Sequence, residues 1–173
     1  MIIEKPVPYW PGWFARDDGL LRKPNGALLA GSPGKHGHRC FPARKSTWKY
    51  FYTQWVHRFV ASAWIPNPRP DIFRVVDHID RDPSNNKPSN LRWLTYQLNS
   101  LNNDARNTFF SRRTTKWAAR VGISGKQKFL GLFKTEQEAH EFAQAYKKEL
   151  FKEIYENHLN EPRSKISRES VCT

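Results

Sequence analysis

The segment that most constrains this chain is 74–103, which reads as a strand, a polar loop, a second strand and a helix. The first strand is a β-type run ending in the pair Asp77-His78, and the loop after it is rich in Asn, Pro and Asp. Leu91–Thr95 predicts the second strand, which leads into a helix-like stretch that carries Asn99. This order brings Asp77, His78 and Asn99 together only if the loop folds back on itself.

Those three side chains suit phosphodiester cleavage, which needs a deprotonated water and charge relief on the phosphate. A histidine can act as the base, and a hard divalent cation held by oxygen ligands can relieve the charge. Asp77 offers a carboxylate oxygen and Asn99 an amide oxygen. Neighbours on an extended strand point to opposite faces, so the strand must end or twist at His78. Asn90 opens the second strand, where it can tie down the loop and fix the imidazole tautomer.

The charge distribution predicts a polyanionic partner. The formal net charge is +13, and no acid occurs in 19–70 or in 107–134, whereas 77–82 holds three acids. Two basic segments on either side of a short acidic segment favour an enzyme that binds phosphates and also holds a cation. A solvated basic surface is the alternative. The aromatic content of 14% excludes a disordered chain.

The cysteines predict neither a disulfide nor a zinc site, because Cys40 and Cys172 are far apart and lack ligand spacing. No long apolar run and no signal-like N-terminus are seen. We therefore expect a soluble protein in a reducing, intracellular compartment.

The residues before the central segment predict short antiparallel strands over 12–55, of which Trp48–Tyr52 is the clearest. The loop Gly31–His38 is rich in Gly, Lys and His, and could touch a phosphate backbone or simply be flexible. Gln54–Trp64 has the apolar spacing of an amphipathic helix. His57 lies beside its apolar stripe, where a packed or surface histidine is the ordinary interpretation.

The residues after the central segment predict a second, smaller module. Trp117, Ala119 and Val121 alternate with more polar residues, as in a half-buried strand, and 126–133 predicts another. Thr135 and Glu138 form a capping box at the start of an amphipathic helix. The fold class is therefore α+β, with two small domains.

The central segment resembles the HNH nuclease family, in particular the phage homing endonucleases of the ββα-metal fold. The matching elements are 56–61 (VHRFVA), 75–80 (VVDHID), the pair Asn85-Asn86, 90–93 (NLRW) and Asn99. The resemblance implies that Asp77 and Asn99 bind one Mg²⁺ or Mn²⁺ ion, that His78 activates water and that Asn90 orients His78. Asn99 stands where many relatives have His. The resemblance also implies that His57 is a scaffold residue under the site.

The second module resembles the plant ethylene-response-factor (APETALA-type) DNA-binding domain, carried by 116–121 (KWAARV), 129–135 (FLGLFKT), Glu138-Ala139 and Ala145-Tyr146. That family implies three antiparallel strands on one helix, with the sheet in the DNA major groove. The first-strand motif is imperfect, because 109–114 lacks the expected Tyr-Arg-Gly-Val. Strand parity turns Trp117 towards the helix. The predicted DNA-binding residues are Arg112, Arg113, Lys116, Arg120, Lys126, Gln127, Lys128 and Phe129, with Arg120 the candidate for reading guanine.

Together these patterns predict a site-specific, divalent-metal-dependent DNA endonuclease of the HNH homing type. The expected domains are a nuclease domain at 1–106, a DNA-binding domain at 107–159 and a flexible tail at 160–173. We expect a monomer that nicks one strand of double-stranded DNA and acts, phage-encoded, in the host cytoplasm. The alternative is a DNA-binding regulator on an inactive HNH fold, and RNA binding or cleavage is a third possibility.

Overall fold

The computed structural model describes residues 1–43, 52–103, 105, 107–123 and 125–162. The chain divides into two compact units, Met1–Ala105 and Arg106–Thr173. Most of the strand predicted at Trp48–Tyr52 lies outside the described residues, as does most of the tail predicted at 160–173. The assignment of separate nuclease and DNA-binding roles to the two parts of the chain stays a prediction.

The first unit opens with two small antiparallel sheets, in agreement with the short antiparallel strands predicted over 12–55, although β1 lies before that range. One sheet has four strands and the other has three, in chain order: β1 (Glu4–Pro6), β2 (Phe14–Arg16), β3 (Leu21–Arg22) and β4 (Leu28–Leu29), then β5 (Ser32–Pro33), β6 (Arg39–Ala43) and β7 (Tyr52–Trp55). Gly19 and Gly26 occupy tight turns with φ of +87° and +83°, a conformation that glycine adopts without steric cost.

The helix predicted at Gln54–Trp64 is present as α1 (Val56–Trp64). Its apolar stripe is buried, with Val56 and Val60 fully covered. The stripe packs into a core that also includes side chains from both sheets, among them Leu21 and Phe41. The helix therefore supports the central segment, whose Val76 and Leu91 belong to the same core.

The central segment forms the predicted hairpin and helix: β8 (Val75–His78), β9 (Leu91–Leu94) and α2 (Tyr96–Leu101). The two strands pair antiparallel, with Asp77 opposite Arg92 and His78 opposite Leu91. The α2 helix begins where the Thr95 hydroxyl accepts a hydrogen bond from the Leu98 amide, which is a typical N-cap. This ββα arrangement carries the predicted site residues.

The second unit is a three-stranded antiparallel sheet with one long helix, as predicted. Its elements are β10 (Thr108–Ser111), β11 (Lys116–Ile123), β12 (Lys126–Phe133) and α3 (Glu136–Asn160). The capping box is present, because Thr135 accepts from the Glu138 amide and the Glu138 carboxylate accepts from the Thr135 amide. The predicted α+β fold class is confirmed. None of the helices in the described part of the chain is long and apolar enough to cross a membrane.

Candidate active site

A cavity of about 520 Å³ in the first unit is lined by three of the four predicted catalytic and metal-binding residues, and Asn90 is not among its lining residues. Asp77, His78 and Asn99 all line it, although Asp77 and His78 are neighbours on one strand. This is possible because β8 ends at His78, so the strand alternation that would separate the two side chains stops there. The remaining lining includes three further histidines and two arginines: His36, His38, His57, Arg58 and Arg81.

Asp77 is buried, with 6% of its side chain exposed, and its carboxylate is held from two directions. Arg92, directly opposite on β9, donates to Oδ2 over 2.8 Å. The side-chain amide of Asn102 donates to both carboxylate oxygens over 3.0 Å and to the backbone oxygen of His78 over 2.8 Å. The carboxylate therefore has a fixed orientation at the cavity wall. Sequence reasoning assigned no role to Arg92 or Asn102.

The oxygen atoms of Asp77 and Asn99 fit a hard divalent cation by their chemistry. An ionised carboxylate has about four lone-pair positions, and the bonds from Arg92 and Asn102 leave room for another partner. Asn99 lies on α2 and borders the same cavity. These two residues are thus the ones that could hold such an ion here.

In the structure the side chain that contacts the His78 imidazole is Asn86, whereas the prediction gave Asn90 the orienting role. The Nε2 atom of His78 lies 3.1 Å from Oδ1 of Asn86. The other end of the Asn86 amide donates to the Ser84 carbonyl over 3.3 Å, which fixes Oδ1 as the atom facing the imidazole. The hydrogen bonds therefore assign the tautomer with a proton on Nε2 and a lone pair on Nδ1.

Asn90 fastens the loop between the strands. Its amide nitrogen donates to Asp80 over 2.8 Å and to the Asn85 carbonyl over 2.9 Å, and its oxygen accepts from the Asp80 amide. Asn85 also donates to Asp80, and this bond is the main cause of a lowered pKa at Asp80. The loop-tying role predicted for Asn90 thus matches its contacts, whereas its amide lies on Asp80 and Asn85 instead of on the imidazole.

Three imidazoles pack together beside the cavity, from His38, His57 and His78. Their ring centroids lie 4.9 to 5.4 Å apart. Burial is the main reason that the pKa of His57 falls to about 3, and the neighbouring His78, His38 and Arg58 contribute to the same lowering. Burial also lowers the pKa of His38. His57 is therefore a buried, neutral histidine in contact with the predicted base. The sequence had indicated only a scaffold role for His57.

The faces of the second unit's sheet are distinguished by contacts with α3. Phe133, opposite Trp117 in the register, packs against Phe142 of α3 at 5.1 Å. Lys128, opposite Val121, donates to the Tyr146 hydroxyl of α3 over 2.7 Å. These contacts place the strand face that carries Trp117 and Val121 against the helix. The Lys128 side chain is directed to that side of the sheet and remains exposed.

The opposite face of this sheet carries several of the predicted DNA-binding residues. The Arg120 guanidinium lies 4.1 Å from the centre of the Phe109 ring, and Phe129, its partner in the register, is 56% exposed. The register shifts between Ala119 and Arg120, so Leu130 of β12 is the extra residue and Phe129 lies opposite Arg120. The other predicted contacts are also exposed or half-exposed: Arg112, Arg113, Lys116, Lys126 and Gln127.

The site is built on a ββα arrangement, and the known proteins that are similar to this chain are nucleases. Residues 55–101 match the family model described as HNH endonuclease, so this segment is similar to the domain of that family of enzymes. The matched residues run from the end of β7 to the end of α2 and include Asp77, His78, Asn90 and Asn99.

Two individual proteins are similar to this chain. An uncharacterised HNH endonuclease of Acanthamoeba polyphaga mimivirus is 40% identical over 97 residues, which are 56% of this chain and 28% of the relative. The chain therefore spans little more than a quarter of that protein. The solved structure of the HNH homing endonuclease I-HmuI, described as binding and cleaving DNA, matches with a TM-score of 0.51 and 23% identity. That match covers 81% of this chain and 82% of the other, and shows a shared fold.

Proposed function

We propose that this protein is a divalent-metal-dependent DNA endonuclease of the HNH homing type that hydrolyses a phosphodiester bond. The observation that carries the proposal is that Asp77, His78 and Asn99 all line the same cavity. A buried carboxylate, an imidazole and an amide oxygen in one cavity supply the ligands and the base that this reaction needs. The match of 55–101 to the HNH endonuclease family supports the same reaction.

In this proposal His78 is the general base. Its Nε2 proton is held on Asn86, so the Nδ1 lone pair is available to take a proton from water. Asn86 is then a positioning residue, and Asn90 acts one step further away by fastening the loop that carries Asn86. General acid–base catalysis of this kind contributes about 10²- to 10⁴-fold to a rate.

Asp77 and Asn99 would hold one divalent cation, for which their oxygen chemistry favours Mg²⁺ or Mn²⁺. When bound, such an ion stabilises the negative charge that develops on the phosphate and the leaving oxygen. Asn102 and Arg92 keep the Asp77 carboxylate turned towards the cavity. Arg58 and Arg81, which line the same cavity, are placed to attract the phosphate.

We further propose that the second unit binds double-stranded DNA through the sheet face that points away from α3. Arg120 is the central residue, because stacking on Phe109 restricts its guanidinium to one region of that face. The resemblance to the ethylene-response-factor domain supports this role, as does the absence of acidic residues from 107–134. With one such cavity in the described part of the first unit, we expect a monomer to nick one strand per binding event.

The test is nicking of supercoiled plasmid with Mg²⁺, with EDTA, and with the variants His78→Ala and Asn99→Ala. Both variants should lose most of the Mg²⁺-dependent nicking, and His78→Ala should lose about 10²- to 10⁴-fold. His140→Ala, a histidine of α3 in the second unit, is the matched control and should keep the wild-type rate.

Two results would contradict the proposal. Nicking that survives in His78→Ala would remove His78 as the base. Tight, salt-sensitive DNA binding without cleavage by any divalent metal would favour the DNA-binding alternative on an inactive nuclease fold. Competition between duplex DNA and RNA separates the remaining possibility of an RNA target.

A further inference from the structure

The histidine cluster His38–His57–His78 has the geometry of an unassigned metal site. The three residues come from separate elements: His38 precedes β6, His57 is in the first turn of α1 and His78 ends β8. One ligand nitrogen from each ring lies within 4.8 Å of the other two. All three side chains border the cavity, so an ion could reach them without unfolding the unit.

Two ring nitrogens of this cluster are buried without a hydrogen-bond partner among the described residues. They are Nδ1 of His38 and Nδ1 of His57. Leaving a buried polar atom unsatisfied is unfavourable, and such atoms are uncommon. On His78 the bond to Asn86 engages Nε2 and leaves Nδ1 with its lone pair. A metal ion is a partner that all three lone pairs could share.

We propose that His38, His57 and His78 bind one transition-metal ion, with Zn²⁺ the best suited, and that its binding inhibits the nuclease. Imidazole nitrogens select Zn²⁺ and its transition-metal neighbours, whereas the oxygen atoms of Asp77 and Asn99 suit Mg²⁺. The proposed site is therefore chemically distinct from the oxygen site. His78 would serve both as a ligand of the histidine site and as the general base of the nuclease. With Zn–N distances of about 2.0–2.1 Å, tetrahedral binding brings the nitrogens to about 3.4 Å from each other, which modest side-chain rotations can achieve.

Inhibition follows from the electron pair that His78 would use. A base takes a proton with a lone pair, and a lone pair that is bound to a metal ion cannot do so. Metal bound by the three histidines would hold the Nδ1 lone pair of His78 while Nε2 remains on Asn86. The inhibitory part rests on the proposed nuclease function, and metal binding by the cluster does not.

The binding test uses metal-free full-length protein titrated with Co²⁺, followed by its visible absorption, and then with Zn²⁺ by calorimetry. We expect one tightly bound ion per chain, with an absorption spectrum typical of nitrogen coordination. His38→Gln and His57→Gln should each weaken Co²⁺ binding by at least about 10- to 100-fold, the range found even for residues that only support a ligand. His38 is the less buried of the two, so its variant is informative even if His57→Gln does not fold.

Three control variants locate the ion. His36→Gln removes another histidine of the cavity lining, Cys40→Ser removes the half-buried free thiol, and Asp77→Asn alters the oxygen site. Co²⁺ affinity should be kept in all three. Affinity that is unchanged in His38→Gln, or that is lost equally in Asp77→Asn, would place the ion elsewhere and overturn the proposal.

The inhibition test compares plasmid nicking at saturating Mg²⁺ with and without added Zn²⁺, as a ratio within each variant. Wild-type protein should be strongly suppressed by Zn²⁺, and His38→Gln should be suppressed much less. Zn²⁺ bound at the cluster without any effect on nicking would overturn the inhibitory role. If no variant nicks under any condition, the proposed nuclease function fails, and the Co²⁺ titration still decides whether the histidine site exists.

Discussion

At the scale of single residues, the Asn86 amide is the side chain on which the orientation of His78 depends. Asn86→Ala removes the acceptor for the Nε2 proton, so the imidazole can rotate or change tautomer. We expect the nicking rate to fall about 10- to 100-fold, as for other residues that orient a functional histidine. Asn86→Asp keeps an acceptor oxygen and should retain more activity than Asn86→Ala. Equal losses in the two variants would mean that the amide contributes packing alone.

The lowered pKa of His57 predicts that the stability of the protein depends on pH. Its pKa falls from an ordinary value of 6.5 to about 3 in the folded protein, so the unfolded chain binds more protons between these two pH values. Its contribution to stability is complete above pH 6.5 and is lost as the pH falls towards 3. At about 1.4 kcal/mol per pH unit, lowering the pH from 6.5 to 5 costs about 2 kcal/mol of unfolding free energy.

The measurement is urea unfolding in EDTA at several pH values for the wild type, His57→Gln and His140→Gln. The groups that face His57 are His38, His78 and Arg58, and they stay in place in both variants. The pH dependence should flatten in His57→Gln and persist in His140→Gln. A slope that is the same in all three proteins would rule out His57 as its source.

At the scale of elements, the loop between β8 and β9 depends on a turn that is distant in sequence. A Cβ atom at Gly19 would approach the backbone carbonyl of Asn86 to 2.7–2.9 Å, whereas a Cβ at Gly26 would meet nothing within 4 Å. Both glycines have positive φ. The Gly19 turn therefore supports the loop that carries Asn86.

These two glycines form a matched pair of variants. Gly19→Ala and Gly26→Ala should each lose about 1–2 kcal/mol because alanine is strained at positive φ. Gly19→Ala should lose more, and it alone should slow plasmid nicking, because its methyl group displaces the Asn86 backbone. Unfolding free energies and nicking rates measured on both variants decide this, and equal effects on nicking would show that the Gly19 contact does not position the loop.

Local patterns in the sequence were sufficient to predict most elements. The apolar spacing of α1, the hairpin of β8 and β9, and the capping box of α3 each depend on residues close in the chain, and all are present. The partner of His78 was not predictable, because Asn85, Asn86 and Asn90 are equivalent as sequence and only the folded loop distinguishes them. The cluster of His38, His57 and His78 forms where three separate elements meet in the fold. Local sequence patterns carry no information about such a contact.

At the scale of the whole molecule, the total positive charge and the positions of the charged side chains have different effects on DNA binding. A net charge of +13 attracts any polyanion, and each neutralised phosphate adds a similar, salt-dependent increment to affinity. Specific recognition requires in addition that particular side chains meet the edges of the bases. Arg120 and Lys128 occupy the same sheet, but only Lys128 is bonded to α3.

Arg120→Ala and Lys128→Ala each remove one positive charge from adjacent strands, and they should differ in effect. If the face away from α3 binds DNA, Arg120→Ala should weaken binding to the cognate site by about 1–3 kcal/mol and relax its sequence preference. Lys128→Ala should change affinity much less, because its ammonium group is already engaged by Tyr146. Binding of cognate and scrambled duplexes at one fixed salt concentration measures both effects. Equal losses on both duplexes in both variants would indicate that this unit contributes general charge, and that sequence is read elsewhere.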